Sequence, residues 1–296
     1  SGKFGERWTE LCQAYGVHAE VIKVEWGKAV TADQIKSQVT GHRSQVKAVF
    51  VTLCETSTGV TTDIKSIAQA LKDTDTVLVV DAISGLGVID VKTDAWGVDV
   101  VVSGSQKGLM LPPGLGFISV SQKAWKLIAE SKSPRYYFDL RLAKKAWEQA
   151  DTPFTTSVSL VVALNTALKM IKTEGLENVF SRCKKMADAV KAAAKALGLK
   201  LYADEACASD AITAVCVPSG IDGEKLVKTM RDTYGVTIAG GQAELKGKVF
   251  RIASMGYLNE FDIILALSCV EKVMHQMGYK FQLGAGVKAA QEVFLK

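Results

Sequence analysis

Val77-Leu78-Val79-Val80-Asp81-Ala82-Ile83-Ser84 and Asp99-Val100-Val101-Val102-Ser103-Gly104-Ser105-Gln106-Lys107-Gly108 are the two stretches on which the reading of this chain turns. Each opens as an apolar, β-branched run with no polar face, the pattern of a strand covered on both sides in a parallel sheet. Each then ends in groups that such a strand does not need: an acid in one, a lysine set among Ser, Gln and Gly in the other. In an open parallel sheet the C-terminal strand ends line one edge, and ligands bind there. The two runs therefore predict an α/β fold in which Asp81 and Lys107 face one cleft.

Further strand-like runs occupy residues 21–24, 48–52 and 116–120, and residues 63–72 carry Ile64, Ile67, Ala68 and Leu71 on one helical face. This alternation predicts a three-layer domain with a mainly parallel sheet. Residues 157–171 and 176–197 read as long helices, the second closed by Gly198. Beyond them the pattern is β-β-α-β-β-α, over residues 200–203, 212–217, 224–232, 236–239, 249–253 and 260–277. The expected division is a large domain at 1–174 and a smaller α+β domain at 175–296.

Composition excludes other classes. The 296 residues are 48% hydrophobic and 23% charged, ordinary values for a globular chain. The net charge of +5 comes from 36 basic and 31 acidic residues, and basic pairs such as Lys144-Lys145 and Lys184-Lys185 lie far apart, so no nucleic-acid stripe is expected. Cys12, Cys54, Cys183, Cys207, Cys216 and Cys269 contain no C-x-x-C and have only His18, His42 and His275 beside them. Reduced thiols in a reducing compartment are expected, without metal or disulfides. The longest uncharged stretch, 152–168, is broken by Pro153, Asn165 and hydroxyl side chains, so no membrane span is expected. No signal peptide is visible. The C-terminal Val293-Phe294-Leu295-Lys296 is not a Ser-Lys-Leu address, which leaves the cytoplasm expected and an organelle open.

A lysine in a tight, buried turn loses solvation of its charged form and becomes a nucleophile toward carbonyls. Schiff-base chemistry is its natural use, and a carboxylate on the adjacent strand end is a partner for a protonated pyridine nitrogen. Arg251 stands on the apolar run 249–253, where an unpaired guanidinium is costly unless it grips a carboxylate in a bidentate fork.

The segments Cys54-Glu55-Thr56-Ser57-Thr58-Gly59-Val60, Val80-Asp81-Ala82-Ile83-Ser84 and Ser103-Gly104-Ser105-Gln106-Lys107, with Pro112-Pro113-Gly114, resemble in order and spacing the class V aminotransferases of fold type I. The alanine-glyoxylate and serine-glyoxylate (serine-pyruvate) enzymes are the most similar members. The likeness runs from Gly2-Lys3-Phe4-Gly5-Glu6-Arg7 to Lys248-Val249-Phe250-Arg251-Ile252. It implies transamination from alanine or serine to glyoxylate or pyruvate with pyridoxal 5'-phosphate. It also implies a homodimer that shares its active sites.

Carried over by position, Lys107 would form the Schiff base and move the Cα proton, and Asp81 would keep the ring nitrogen protonated. Phe4 would stack on the ring and Ile83 would pack on its face. Thr56 would lie near the ring oxygen, and Gln106 would contact the phosphate. Thr155 would reach the phosphate in the neighbouring subunit, and Arg251 would bind the substrate carboxylate. Family members carry a glycine-rich phosphate cradle ahead of the stretch that matches Ser1 to Arg7, so the chain is expected to be N-terminally truncated and to hold the cofactor weakly or not at all.

Gly85-Leu86-Gly87 resembles the start of a dinucleotide fingerprint, but Val-Ile-Asp-Val follows it where a helix is needed. Ser105-Gln106-Lys107 also matches the S-x-K core of serine-lysine amidases. Two other readings of the same fold stay open: a partner-binding subunit like the soluble-hydrogenase small subunits, and a class V lyase or desulfurase. The second usually needs a mobile catalytic cysteine, whereas Cys54 reads as a buried strand-end residue.

Overall fold

A computed structural model describes residues 1–41 and 46–296; His42 lies outside them. The chain opens with α1 (Lys3–Ala14) and α2 (Ala32–Gly41), then β1 (Ala48–Thr52) and a hairpin of β2 (Cys54–Glu55) and β3 (Val60–Thr61). Next come α3 (Ile64–Leu71), β4 (Val77–Asp81), α4 (Thr93–Trp96), β5 (Val100–Gly104) and β6 (Gly116–Val120). Four helices follow: α5 (Gln122–Glu130), α6 (Leu140–Trp147), α7 (Val158–Glu174) and α8 (Leu176–Ala196). The chain continues through β7 (Ile212–Cys216), α9 (Gly223–Tyr234), β8 (Ala239–Gly240), β9 (Val249–Ala253), α10 (Glu260–Gln276) and α11 (Ala285–Phe294).

The first sheet has the order β1-β4-β5-β6, with β1, β4 and β5 parallel and β6 antiparallel to β5. Alternate residues of β4 enter different cores, as a strand covered on both faces must. Leu78 and Val80 pack with Val51, Ile64, Ile67 and Leu71, whereas Val77 and Val79 pack with Val100 and Trp8. The α3 residues Ile64, Ile67, Ala68 and Leu71 are all buried, and Asp63 caps that helix by accepting a hydrogen bond from the Ser66 amide.

The second sheet, β7-β9-β8, is antiparallel throughout and sets Arg251 opposite Ala214 on one side and Ala239 on the other. Its apolar face, together with α8, α9, α10 and α11, forms the largest apolar cluster, which also takes in Cys54 and Val88 from the first half. The β2–β3 hairpin bonds to both halves: Glu55 accepts the Gly5 amide at 2.9 Å, Ser209 donates its amide to the Gly59 carbonyl at 2.8 Å, and Val60 bridges Ala208.

Some expected elements differ. Residues 21–24 have no ladder among the described residues, although Ile22 packs on the core of the first sheet. Alternation there reflects packing of one side of an extended segment, and a strand also needs a neighbour. Residues 200–203 reduce to the single bridge Leu201–Val215, and the run at 236–239 moves to Ala239–Gly240. The sequence reading passed over α1, α2, α5, α6 and α11. Helix α1 has no buried residue, and α11 follows a Gly-rich stretch whose helix start is capped from outside by the buried Glu271, which accepts from the amides of Gly284 and Val287.

Candidate functional site

The register of the parallel strands brings the chemistry to one edge. Thr52 and Asp81 are paired at the C-terminal ends of β1 and β4, and Asp81 pairs with Val102, two residues before the C-terminal end of β5. The chain beyond β4 turns back at once: the Ile83 amide donates to Asp81 Oδ1 at 2.9 Å. Asp81 is half-buried, and its carboxyl is pushed above the usual range by burial and by the charge of Glu55, against the opposing pull of that amide and of Arg7.

Beyond β5 the loop is stapled. Ser105 is fully buried, donates from Oγ to the Pro112 carbonyl at 2.7 Å and accepts from the Leu115 amide at 3.2 Å. These bonds account for Ser105 as a structural group and leave no acyl nucleophile beside Lys107. Lys107 closes the turn, its carbonyl accepting the Met110 amide at 3.0 Å. It is half-buried, less enclosed than a lysine in a buried turn was expected to be, because the turn opens at the strand edge. No ion pair or side-chain hydrogen bond engages its amine among the described residues. Gly108 lies so close to the Leu86 carbonyl that a Cβ would overlap it, so the turns carrying Asp81 and Lys107 touch. The Gly85-Leu86-Gly87 segment serves this contact.

Arg251 is 6% exposed, and no acid pairs with it among the described residues. Its Nη1 donates to the Thr56 carbonyl at 2.7 Å and its Nε to the Gly240 carbonyl at 2.9 Å. Burial lowers its pKa, and the charge of Glu55 partly offsets this. Two carbonyls hold the guanidinium, and the other nitrogen, Nη2, keeps its donors free among the described residues. That arrangement suits an incoming carboxylate.

Phe4, half-buried near the start of α1, carries the Arg7 guanidinium over its ring at 4.8 Å. The Arg7 charge also pulls on the pKa of Asp81. Thr56 is buried in the hairpin turn, Ile83 is half-buried next to Asp81, and Gln106 is exposed at the end of β5. The structure thus places Asp81, Ile83, Gln106 and Lys107 at the ends of β4 and β5 and joins Arg251 to Thr56 in the hairpin turn. It does not bring in Thr155, which is exposed between α6 and α7, and nothing among the described residues joins it to the others.

Two neighbours were not foreseen. One is Arg7; the other is Glu55, fully buried, which accepts from the Gly5 amide at 2.9 Å and from Ser57 Oγ at 2.6 Å. The signal for Glu55 was present in Leu53-Cys54-Glu55-Thr56, since an acid at the end of an apolar run must find donors. Cys54 is buried, its sulfur 3.2 Å from Ser209 Oγ, and burial pushes its thiol up to about 12. Such a thiol is no mobile nucleophile. Among the described residues no three His, Cys, Asp or Glu side chains are grouped to hold a metal ion, and no helix is long and apolar enough to cross a membrane.

A family model described as aminotransferase class V matches residues 6–259. The chain is 46% identical to a protein named soluble hydrogenase, small subunit, of Synechococcus sp. (strain PCC 6716), over 99% of this chain and 77% of that one. It is 39% identical to a serine–glyoxylate aminotransferase of Hyphomicrobium methylovorum, over 100% of this chain and 74% of that one. Among solved structures it superimposes on a ureidoglycine–glyoxylate aminotransferase from Bacillus subtilis with a TM-score of 0.94 and 30% identity, over 100% of this chain and 77% of that one.

Proposed function

The chain belongs to the class V aminotransferases, whose cofactor is pyridoxal phosphate, and from that footing we propose that it moves the amino group of alanine or serine to glyoxylate or pyruvate. The observation that supports this reading is that Asp81 and Lys107 follow neighbouring parallel strands on turns that touch at Leu86 and Gly108, together with a buried Arg251 that has no acid partner among the described residues.

The residues present fit the cofactor. Asp81 has one oxygen engaged by Ile83, and the other is free among the described residues to accept a pyridinium N–H. A carboxyl whose charge is disfavoured by burial gains most from such a cationic partner. When bound, pyridoxal phosphate supplies an electron sink for the bonds at the donor's Cα. Lys107 is the residue that would hold the cofactor through its amine, and that amine, when free, would carry the proton to and from the donor's Cα. Arg251 holds the α-carboxylate by its free donors, which fixes the donor's orientation at Lys107. Phe4 and Ile83 supply apolar surface for the ring, and the Gln106 amide is a donor for the phosphate.

We further propose a homodimer in which Thr155 completes the partner's site. Its support is the exposed apolar face of α7, where Val158 and Val162 are 67% and 63% exposed, together with the Phe154 ring stacked on the exposed Tyr137 at 4.6 Å.

The test is an absorbance spectrum of the full-length protein with excess pyridoxal phosphate, beside Lys107→Ala, followed by alanine or serine. A visible cofactor band that requires Lys107 and bleaches with one donor supports the reading and names the donor. The likeness to a hydrogenase subunit favours one other reading, a partner-binding role. Absence of the band, with no transamination, moves that reading to the front.

A further inference from the structure

Glu55 is the most deeply buried acid beside the site, and the chemistry assigned above leaves it without a task. It is 0% exposed at the end of β2, and its carboxylate lies where three chain segments meet. Oε2 accepts the Gly5 amide at 2.9 Å, in the first turn of α1, one residue after Phe4. Oε1 accepts the Ser57 amide at 3.1 Å and the Ser57 hydroxyl at 2.6 Å. That hydroxyl in turn accepts the Lys3 amide at 3.0 Å, and Thr58 Oγ1 donates to the Ser1 carbonyl at 3.0 Å. Between Glu55 and Ser57 stands Thr56, whose carbonyl holds Arg251 Nη1. Gly2 packs so closely on Glu55 and Ser57 that a Cβ there would overlap both, which leaves this junction no slack.

A carboxylate sealed from water needs this full set of donors. Here the donors are the α1 backbone that carries Phe4 and the turn that carries the Arg251 anchor. The negative charge at the start of α1 also suits the helix dipole. We propose that Glu55 is a positioning residue that locks α1 and the Thr56 turn into one register, so that Arg251 presents its free donors at a fixed distance from the Phe4 surface. The inference rests on the reading of Arg251 as the carboxylate-binding group. Glu55 touches no substrate; it acts through Thr56 and Gly5.

Glu55→Gln keeps the size and removes the charge, but its amide NH2 must face one of the N–H donors that the carboxylate accepted. One arm of the junction then opens. The experiment measures propionate, a simple carboxylate, binding to the protein by calorimetry, with and without pyridoxal phosphate. The proteins are wild type, Glu55→Gln, Arg251→Ala and the double variant, each matched for secondary structure by circular dichroism.

Glu55→Gln is expected to weaken propionate by about tenfold, and to add nothing once Arg251 is gone, since the two changes act through one element. An unchanged affinity, or an equal loss in the Arg251→Ala background, overturns the proposal, because a general loosening of the fold does not depend on Arg251. Ser57→Ala opens the same junction more gently and is expected to shift affinity in the same direction by a smaller factor. Should Glu55→Gln fail to fold, an unaltered affinity in Ser57→Ala overturns the proposal. A wild type that shows this propionate pattern but no cofactor band or transamination defeats the transaminase reading and keeps Glu55 in its role. A wild type that transaminates with Glu55→Gln binding propionate normally defeats Glu55 alone.

Discussion

Asp81 shows how a single side chain links stability to chemistry. Burial raises its pKa, so its ionised form costs the fold free energy. The contribution of the neutral acid is complete below the ordinary carboxylate range and is lost as pH rises through the raised value. Asp81→Asn without cofactor is therefore expected to melt higher than the wild type at neutral pH, with the gap closing in acid below pH of about 4; calorimetric scans across pH check this. The same variant loses its partner for the ring nitrogen, and kcat/KM is expected to fall by roughly thirtyfold or more, the scale of about 2 kcal/mol or above for a buried charged hydrogen bond. Arg251→Lys keeps a positive charge but not the fork held by Thr56 and Gly240, so a raised donor KM is expected, with kcat less affected, in steady-state kinetics. Burial pushes the Cys54 and Cys183 thiols up to about 12 and about 11. Iodoacetamide at mildly alkaline pH is expected to spare both in the native protein while it labels the partly exposed Cys12, as read by peptide mass mapping.

At the scale of elements, the β2–β3 hairpin does more for the site than its four strand residues suggest. It is the segment on which Arg251, Phe4 and the second sheet converge. Its turn depends on Gly59, at φ 77°, where a Cβ would meet the Ala214 amide nitrogen at 3.1 Å. Gly59→Ala is expected to destabilise the protein by more than about 1 kcal/mol, from left-handed strain plus this contact, and to weaken donor binding as the Thr56 carbonyl shifts. Chemical denaturation and donor KM report the two effects separately. The sequence reading took Cys54 to Val60 as part of a family signature. The contacts of that turn stayed hidden, because Gly5, Ala214 and Arg251 lie far away in the chain. The strands β1, β4 and β5 were legible because each opens on an uninterrupted apolar run, and β9 because apolar residues flank Arg251 on both sides. Short β8 and the poorly buried α1 were not, because tertiary neighbours hold them in place more than their own composition does.

At the scale of the whole molecule, several exposed apolar side chains fall close together in the chain between residues 136 and 162. The exposed side of α7 and the aromatic group of Tyr137, Phe138 and Phe154 form the surface on which the proposed dimer rests. Sedimentation is expected to give twice the chain mass for the wild type, and Val162→Asp is expected to shift the population toward monomer with a loss of cofactor retention. A monomeric wild type with full activity would remove the dimer and the role of Thr155 together.

The sequence by itself determined the α/β class, the covered strands and the Asp81–Lys107 pair, since apolar runs ending in an acid and a lysine state both the layer and the edge. Family likeness added Phe4 and gave Arg251, already singled out by its apolar strand, a substrate to bind. Tertiary structure alone decided that Ser105 is a staple, that Lys107 stands half-open at the strand edge, that residues 21–24 lack a ladder and that Glu55 ties α1 to the Arg251 anchor. Periodicity records whether a residue faces a core, but hydrogen-bond partners distant in the chain leave no trace in local pattern. A buried charge is defined by those partners, so its role emerges only once the fold has brought them together.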